Sequence, residues 1–494
     1  MSERPFVDWE SDDPTPPAGQ AWDLVVVGGG TAGLVAAKTA AGFGAGVLLV
    51  ERDRIGGDCL WTGCVPSKAL LHAAHTAADA RSAGRLGISA EVRVDFPAVM
   101  SAVRAAVAAI EPTDSPNAMR AAGVRVLHGD AQFRSPDSVE VGGQLVRFRQ
   151  AMVATGSSPV LPPVDGLDTL PPGAVLTNES VFDLTELPDR LLVLGGGSIG
   201  CELAQAFARL GSAVTLVESA RRLLPTEDAD AAQHVHDALR RDGVHLHVGT
   251  GVSSFRTAGN AVRVGLAGGS ETVVDTILVA AGRRPRTAGL GLTAAGVELD
   301  PRGYVQVDEH LRTTQPSIWS AGDVTGHPQF THTAGVHGTL VAFNAVLGLR
   351  RSVDLATNPR VTYTQPEVAA FGVGSAEAEE RGFDVRTQSH DEVDRAIAEG
   401  LTAGFSRIVT DRRGRIVGAT IVGPRAGESL PELVLAARKR LRPRDLAAAT
   451  HAYPTYSDGV WKAGIAEATR ALHGPAARRL VGAAAAARRR WLAR

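Results

Sequence analysis

The sequence predicts an α/β fold that contains one strand–turn–helix–strand unit twice and closes with an α+β region. Three observations carry that prediction. A glycine-rich turn follows an apolar strand at residues 22–33 (WDLVVVGGGTAG) and again at 190–200 (RLLVLGGGSIG). Each runs into a helical pattern and a second apolar strand that ends in glutamate, VLLVE at Glu51 and VTLVE at Glu218. Further along, FSRIVTDRRGRIVGATIVGP (405–424) sets two β-branched runs either side of the turn-prone DRRG, as an antiparallel hairpin requires.

In the first unit Gly28, Gly30 and Gly33 stand at the spacing G-x-G-x-x-G. The first glycine permits a tight turn, the second lets a pyrophosphate approach the backbone, and the third lets the helix pack on the strand. The helix N-terminus then presents free N–H groups to the phosphates. Glu51 ends the second strand, where a carboxylate accepts hydrogen bonds from ribose hydroxyls. Gly195, Gly197, Gly200 and Glu218 repeat the construction, and the interval from Gly28 to Glu51 equals that from Gly195 to Glu218. One such fingerprint is compatible with an ordinary tight turn. Two in the same register, with matching strands, helices and terminal acids, argue for two Rossmann-like dinucleotide-binding domains and hence two bound dinucleotides.

At 494 residues the chain is long enough for about three domains. It is 44% hydrophobic with a formal charge of −2, so neither a global basic field for nucleic acid nor an acidic excess is present. A small molecule is the expected partner. No apolar run reaches the roughly 18 residues of a membrane span, and residues 1–20 lack the pattern of a signal peptide. The expected location is cytoplasmic, with 1–20 as a flexible tail.

Residues 56–73, GGDCLWTGCVPSKALLHA, hold two of the three cysteines, Cys59 and Cys64, ahead of a helical pattern. Taken alone they read equally as small core hydrophobes. A close pair in a chain with too few cysteines for a disulfide framework also reads as catalytic, redox-active or metal-binding. Zinc sites bring a second cysteine pair or histidines at set spacing, and none appears, so no metal site is expected. Cys201 is read as a core residue.

Together GGDCLWTGCVPSK, ATGSSP (154–159), AAGRRP (280–285), SIWSAGDV (317–324) and HAYPTYSD (451–458) resemble the class I pyridine nucleotide–disulfide oxidoreductases, mercuric reductase and dihydrolipoamide dehydrogenase among them. The likeness covers residues 21–470 in the family's order. It implies an FAD-binding domain in two parts, 21–155 and 285–355, an NAD(P)-binding domain at 156–284, and an α+β dimerisation domain at 356–470 that makes a homodimer. A basic tail, 471–494, follows.

The resemblance also implies roles. Electrons pass from NAD(P)H through flavin to a Cys59–Cys64 disulfide, Cys59 being the exchange thiol and Cys64 the thiol against the flavin. Lys68 and Glu202 match the family's ion pair beside flavin and nicotinamide. Asp323 matches the acceptor for the ribityl hydroxyls, with helix capping as its alternative. Thr155, Gly156 and Gly282 fall in the matched cofactor-binding motifs. Glu218 favours the 2′-hydroxyl of NADH over the 2′-phosphate of NADPH, although Arg221 and Arg222 follow where a phosphate would lie.

One motif departs. The family's disulfide reductases read H-x-H-P-T-x-x-E, where the second histidine is the acid–base partner of the exchange thiol and the glutamate orients it. Here Tyr453 replaces that histidine, and Asp458, one methylene shorter, replaces the glutamate. A phenol with an ordinary pKa near 10 accepts a proton poorly at neutral pH. The mercuric reductase-like branch also has a tyrosine near the metal, but its C-terminal cysteine pair and its cysteine-bearing N-terminal domain are missing from this sequence. The expected function is therefore an FAD-dependent oxidoreductase of that branch, passing electrons to a disulfide, metal ion or similar acceptor. Direct flavin-to-quinone reduction and dihydrolipoamide dehydrogenase activity are the alternatives, and a non-enzymatic dimeric binding subunit is the remaining one. The basic tail, ALHGPAARRLVGAAAAARRRWLAR, carries six arginines and no acid and reads as an amphipathic helix.

Overall fold

The computed structural model describes residues 9–16, 21–473 and 475–493. They fall into two compact units, Met1–Arg221 with Asp242–Leu355, and Arg222–Arg241 with Ala356–Arg494.

The first unit is built on two parallel-cored sheets. In one, the strands Val124–His128, Val47–Glu51, Trp22–Val27, Gln144–Val153 and Ile318–Ser320 run parallel, and the hairpin Ala131–Ser135/Ser138–Val141 adds antiparallel strands to make seven. Such strands are covered on both faces, which is why they read as unbroken apolar runs. Val25 and Val27 pack towards Phe133 and Phe148, while Leu24 and Val26 pack under the helices Thr31–Gly42 and Thr331–Leu347. Those two helices lie close because residue 338 is glycine: a Cβ there would stand 2.3 Å from the Ala32 carbonyl oxygen. The contact places the N-terminus of Thr331–Leu347, and thus Thr331, at the cysteine site.

The second sheet has five parallel strands in the order His245–Val248, Ala213–Glu218, Arg190–Leu194, Thr276–Val279, Val175–Leu176. A three-stranded antiparallel meander over 252–274 covers it, with Phe255, Val262 and Val264 in the shared core. A two-stranded ribbon, Ser157–Pro159 with Arg283–Pro285, lies at the passages between the two nucleotide folds.

The second unit is a five-stranded antiparallel sheet, Arg360–Thr362, Glu367–Gly372, Ile416–Gly423, Phe405–Thr410, Asp384–Ser389. The hairpin expected at 405–424 is present, and Asp411 builds its turn by accepting from the N–H groups of Arg413 and Arg415. Leu430 and Leu433 of the helix Ala426–Arg438 pack on Phe371, Ile408 and Ile421.

Three local findings differ from or extend the sequence expectations. Residues 222–241, placed by sequence within the NAD(P)-binding segment, group with the C-terminal unit. The cause is Asp228, whose carboxylate accepts from the Ser375 N–H and hydroxyl, the Thr420 hydroxyl and Arg407, all at 2.8–2.9 Å. Of the expected flexible stretch 1–20, residues 1–8 and 17–20 lie outside the described residues, whereas 9–16 are held. Asp12 exchanges hydrogen bonds with Val126 and receives one from Arg120, and Trp9 meets the His128 ring edge-on. The basic tail forms the helix Pro475–Leu492. No described helix is long and apolar enough to cross a membrane.

Candidate functional site

The two fingerprints fold alike to the level of single atoms. Gly28 and Gly195 adopt φ of +111° and +113°, and a Cβ on either would meet the carbonyl oxygen of Ala154 or Ala280 at 2.4 or 2.5 Å. Gly33 and Gly200 each leave room for the carbonyl oxygen of their own first glycine, 1.9 Å from where a Cβ would stand. Gly30 and Gly197 differ. A Cβ on Gly197 would meet nothing within 4 Å, and on Gly30 only the Gly57 Cα at 3.9 Å. The protein itself does not demand glycine there, and the open space over the N-termini of Thr31–Gly42 and Ser198–Leu210 is what a pyrophosphate would fill. Glu51 and Glu218 each accept a 2.6 Å hydrogen bond from the middle glycine of their turn, Gly29 and Gly196. Both carboxylates are thereby aimed across the turn, in position to meet a ribose. The residues present therefore fit two dinucleotides.

Cys59 lies in the short helix Gly57–Trp61, and Cys64 opens the long helix Cys64–Ser82. Both are free thiols, close enough for the Cys59 thiol to hydrogen-bond Cys64. That bond, then Thr331 and the charge of Lys68, pull Cys64 down to about 6, against burial and the negative charge of Glu202. Cys59 is pushed far up, chiefly by the same bond and by burial. A thiol that titrates near 6 is thiolate at neutral pH, and the thiolate is the nucleophile. Lys68, one turn into the helix, donates to Glu202 at 2.7 Å, and Glu202 is only 5% exposed. The expected ion pair is thus formed between the cysteine helix and the second fingerprint helix. Cys201, beside Glu202, is fully buried and its thiol donates to the Gly196 carbonyl, as a core residue would.

Asp323 follows the strand Ile318–Ser320 and is pushed up by burial, while the Ser157 hydroxyl donates to it at 2.6 Å. Thr155, Gly156 and Gly282 flank the two-stranded ribbon. The Thr155 hydroxyl donates to the Arg286 carbonyl, the Gly156 carbonyl accepts the Arg286 N–H, and Gly156 and Gly282 hold φ of +69° and +130°.

The sequence reading missed several partners. Thr331 stands 3.1 Å from the Cys64 sulfur. Asp58, immediately before Cys59, pairs with Arg283 and with Arg286, and Arg283 also donates to Ser157 and Asn178. Asp58 and Arg283 both stand inside the quoted motifs, as the residues next to Cys59 and Gly282. Thr331 carried no local signal.

In the C-terminal motif the Tyr453 hydroxyl donates to Asp394 at 2.6 Å, and that bond raises the phenol above its ordinary value. Asp458 is 1% exposed and is pushed up by burial, against the pull of the Thr455 backbone. Tyr453 lies at the surface. His451, which keeps the motif's first histidine, has both ring nitrogens engaged, by Glu432 and by the Ala449 carbonyl. Among the described residues no group of three His, Cys, Asp or Glu side chains is placed to hold a metal ion.

Two family models match. Residues 22–338 match the pyridine nucleotide-disulphide oxidoreductase model, and 358–463 match that family's dimerisation domain. A mercuric reductase of Streptomyces lividans is 37% identical over 452 residues, covering 89% of this chain and 94% of that protein. A dihydrolipoyl dehydrogenase of Thermus scotoductus is 36% identical over 469 residues, covering 92% and 99%. The Cu(II) complex of the HOCl-induced flavoprotein disulfide reductase RclA from Escherichia coli superposes with a TM-score of 0.81 at 29% identity, over 90% of this chain and 99% of that one.

The site predicts a titration. In the reduced enzyme, alkylation of Cys64 read by mass spectrometry should fall off as pH drops through about 6. Thr331→Val should move the inflection up, since it removes a hydrogen bond to the thiolate, and Lys68→Gln should move it up by less, since it removes an opposite charge. An unmoved inflection in both would take these residues out of the account.

Proposed function

This chain belongs to the pyridine nucleotide-disulphide oxidoreductase family, NAD(P)H-dependent flavoproteins that use FAD, and on that premise we propose that it passes electrons from NADH through Cys64 and Cys59 to a soft metal ion or a disulfide. The observation that carries the proposal is the thiol pair itself, with Cys64 drawn down to about 6 beside the Lys68–Glu202 ion pair. Bound FAD supplies the two-electron relay between nicotinamide and cysteines. Glu51 and the N-terminus of Thr31–Gly42 would hold its adenosine and pyrophosphate, and Asp323 its ribityl chain. The Lys68 ammonium would stabilise negative charge at its reactive edge. Gly195, Gly197, Gly200 and Glu218 would hold the nicotinamide dinucleotide.

Closing the Cys59–Cys64 disulfide releases two electrons and the Cys59 proton. A disulfide acceptor must be given protons as well as electrons, whereas a divalent soft metal ion takes the electrons alone. Tyr453 favours the metal ion. Its hydroxyl already donates to Asp394 and is raised further from neutrality, so it can donate a hydrogen bond but not act as a base. In the proposed homodimer, Cys59 of one protomer works with Tyr453 of the partner subunit. The similarity to a mercuric reductase supports the metal reading, and the near-equal similarity to a dihydrolipoyl dehydrogenase keeps the disulfide as the second reading.

Stopped-flow oxidation of NADH in the presence of Hg(II) tests the path. Cys59→Ala should lower Hg(II) reduction at least a hundredfold while NADH still reduces the flavin at its normal rate; undiminished Hg(II) turnover would route electrons directly from the flavin instead.

Position 453 gives a second test. Tyr453→His supplies a base with a pKa near neutrality and should raise turnover with small disulfides. Identical disulfide rates in both proteins would remove this position from the chemistry.

Nucleotide choice rests on Glu218, whose carboxylate receives the N–H groups of Gly196 and Ala220 at the edge of the second fingerprint. The ratio of kcat/KM for NADH over NADPH should be about tenfold or more, and should narrow in Glu218→Ala. An NADPH preference in the unaltered enzyme would shift the reading to Arg221 and Arg222.

A further inference from the structure

The helix Pro475–Leu492 plays no part in the electron path just proposed, yet its composition is specific. It carries Arg478, Arg479, Arg488, Arg489 and Arg490 and no acidic residue. At 100° per residue, Arg478, Arg479, Arg489 and Arg490 gather on one side and Leu480, Ala484, Ala487 and Trp491 on the other. The apolar side is bare: Leu480 and Trp491 are 73% and 62% exposed, and Val481 and Leu492, also exposed, lie on the flank past Arg488. Arg488 lies at the border, its guanidinium 4.1 Å above the Trp491 ring.

We propose that this helix docks flat on a membrane surface rich in anionic phospholipid, with the arginines among the headgroup phosphates and the Leu480–Trp491 side at the acyl boundary. Charge selects the occupant first. Five guanidinium groups without an acid complement a negative surface, and they repel a second copy of the same helix packed against it. The apolar side selects it further. On a nucleic acid the arginines would be satisfied but Leu480 and Trp491 would stay in water, whereas a lipid interface takes both sides at once. The binding is confined to this segment, because the whole chain carries a formal charge of −2 and offers no general basic field. The helix lies on the surface rather than through it, since no described helix is apolar enough to span. Its 18 residues extend about 27 Å along the interface.

The test is co-sedimentation of the full-length, FAD-loaded enzyme with sucrose-loaded vesicles of phosphatidylcholine alone or mixed equally with phosphatidylglycerol, with the mass in solution followed by light scattering. The expected result is sedimentation with the anionic vesicles only, weakened by added salt. Each Arg→Ser change at 478, 479, 489 or 490 should lower the partition coefficient about fivefold. Trp491→Ser should lower it with every arginine in place. These positions are exposed, so the variants keep the fold and NADH-dependent flavin reduction, and they decide the matter even where a chain shortened to residue 473 does not fold. Failure to sediment with anionic vesicles overturns the proposal. So does unchanged sedimentation in the Arg489→Ser/Arg490→Ser double variant or in Trp491→Ser. Loss of dimer mass in those variants without any vesicle binding would assign the helix to a second copy, and retention on duplex DNA without vesicle binding would assign it to nucleic acid. Either result replaces the lipid surface as the occupant.

Discussion

The pairing of Lys68 with Glu202 is the interaction on which the rest of the site depends. A carboxylate that is 5% exposed is costly to keep charged unless a cation stands against it, and Lys68 does so at 2.7 Å. The pair ties the helix that opens with Cys64 to the helix that opens at the second glycine fingerprint. One lysine thus has two consequences. It compensates a buried acid on the second fingerprint helix, and its charge helps hold Cys64 as a thiolate. The proposed electron path from dinucleotide to thiol needs its parts in fixed register, and this ion pair joins the two helices concerned.

A second constraint is the repeated close approach of helix to strand. In both nucleotide folds the third glycine admits the carbonyl oxygen of the first, at a distance no Cβ would tolerate. The same steric solution occurs twice because the same task occurs twice: a helix N-terminus must be brought to bear on a phosphate pair. Gly338 applies the rule a third time, bringing the helix that begins with Thr331 against Thr31–Gly42 and so delivering a hydroxyl to Cys64. The chemistry of the thiol is in this sense a result of packing between two helices distant in sequence.

The C-terminal loop is where the chain departs from the disulfide-reducing pattern, and the structure gives the departure physical content. Tyr453 is a substitution of donor for base, and its hydroxyl is committed to Asp394. Asp458 keeps the place of the family's acid and is buried. Whole-chain similarity does not choose between metal and disulfide, at 37% and 36% identity to relatives of the two kinds, so the reading turns on these few side chains.

The sequence by itself determined whatever depends on local spacing. The glycine fingerprints, their terminal acids, the cysteine pair at the head of a helix and the hairpin at DRRG are each encoded within about thirty residues, because turn geometry, helix N-termini and strand alternation are local properties. Lys68 and Glu202 were legible only through resemblance, since nothing in their separate surroundings says that they meet. Only the tertiary structure decided that Thr331 bonds a sulfur 267 positions away, that Asp58 is neutralised by Arg283 and Arg286, and that Asp394 rather than Asp458 takes the Tyr453 hydroxyl. It also decided that residues 222–241 group with the C-terminal unit, through the hydrogen bonds that Asp228 gathers from Ser375, Arg407 and Thr420. Contacts of this kind arise where elements far apart in the chain are packed together, and no periodicity in the sequence records which polar groups that packing leaves facing one another.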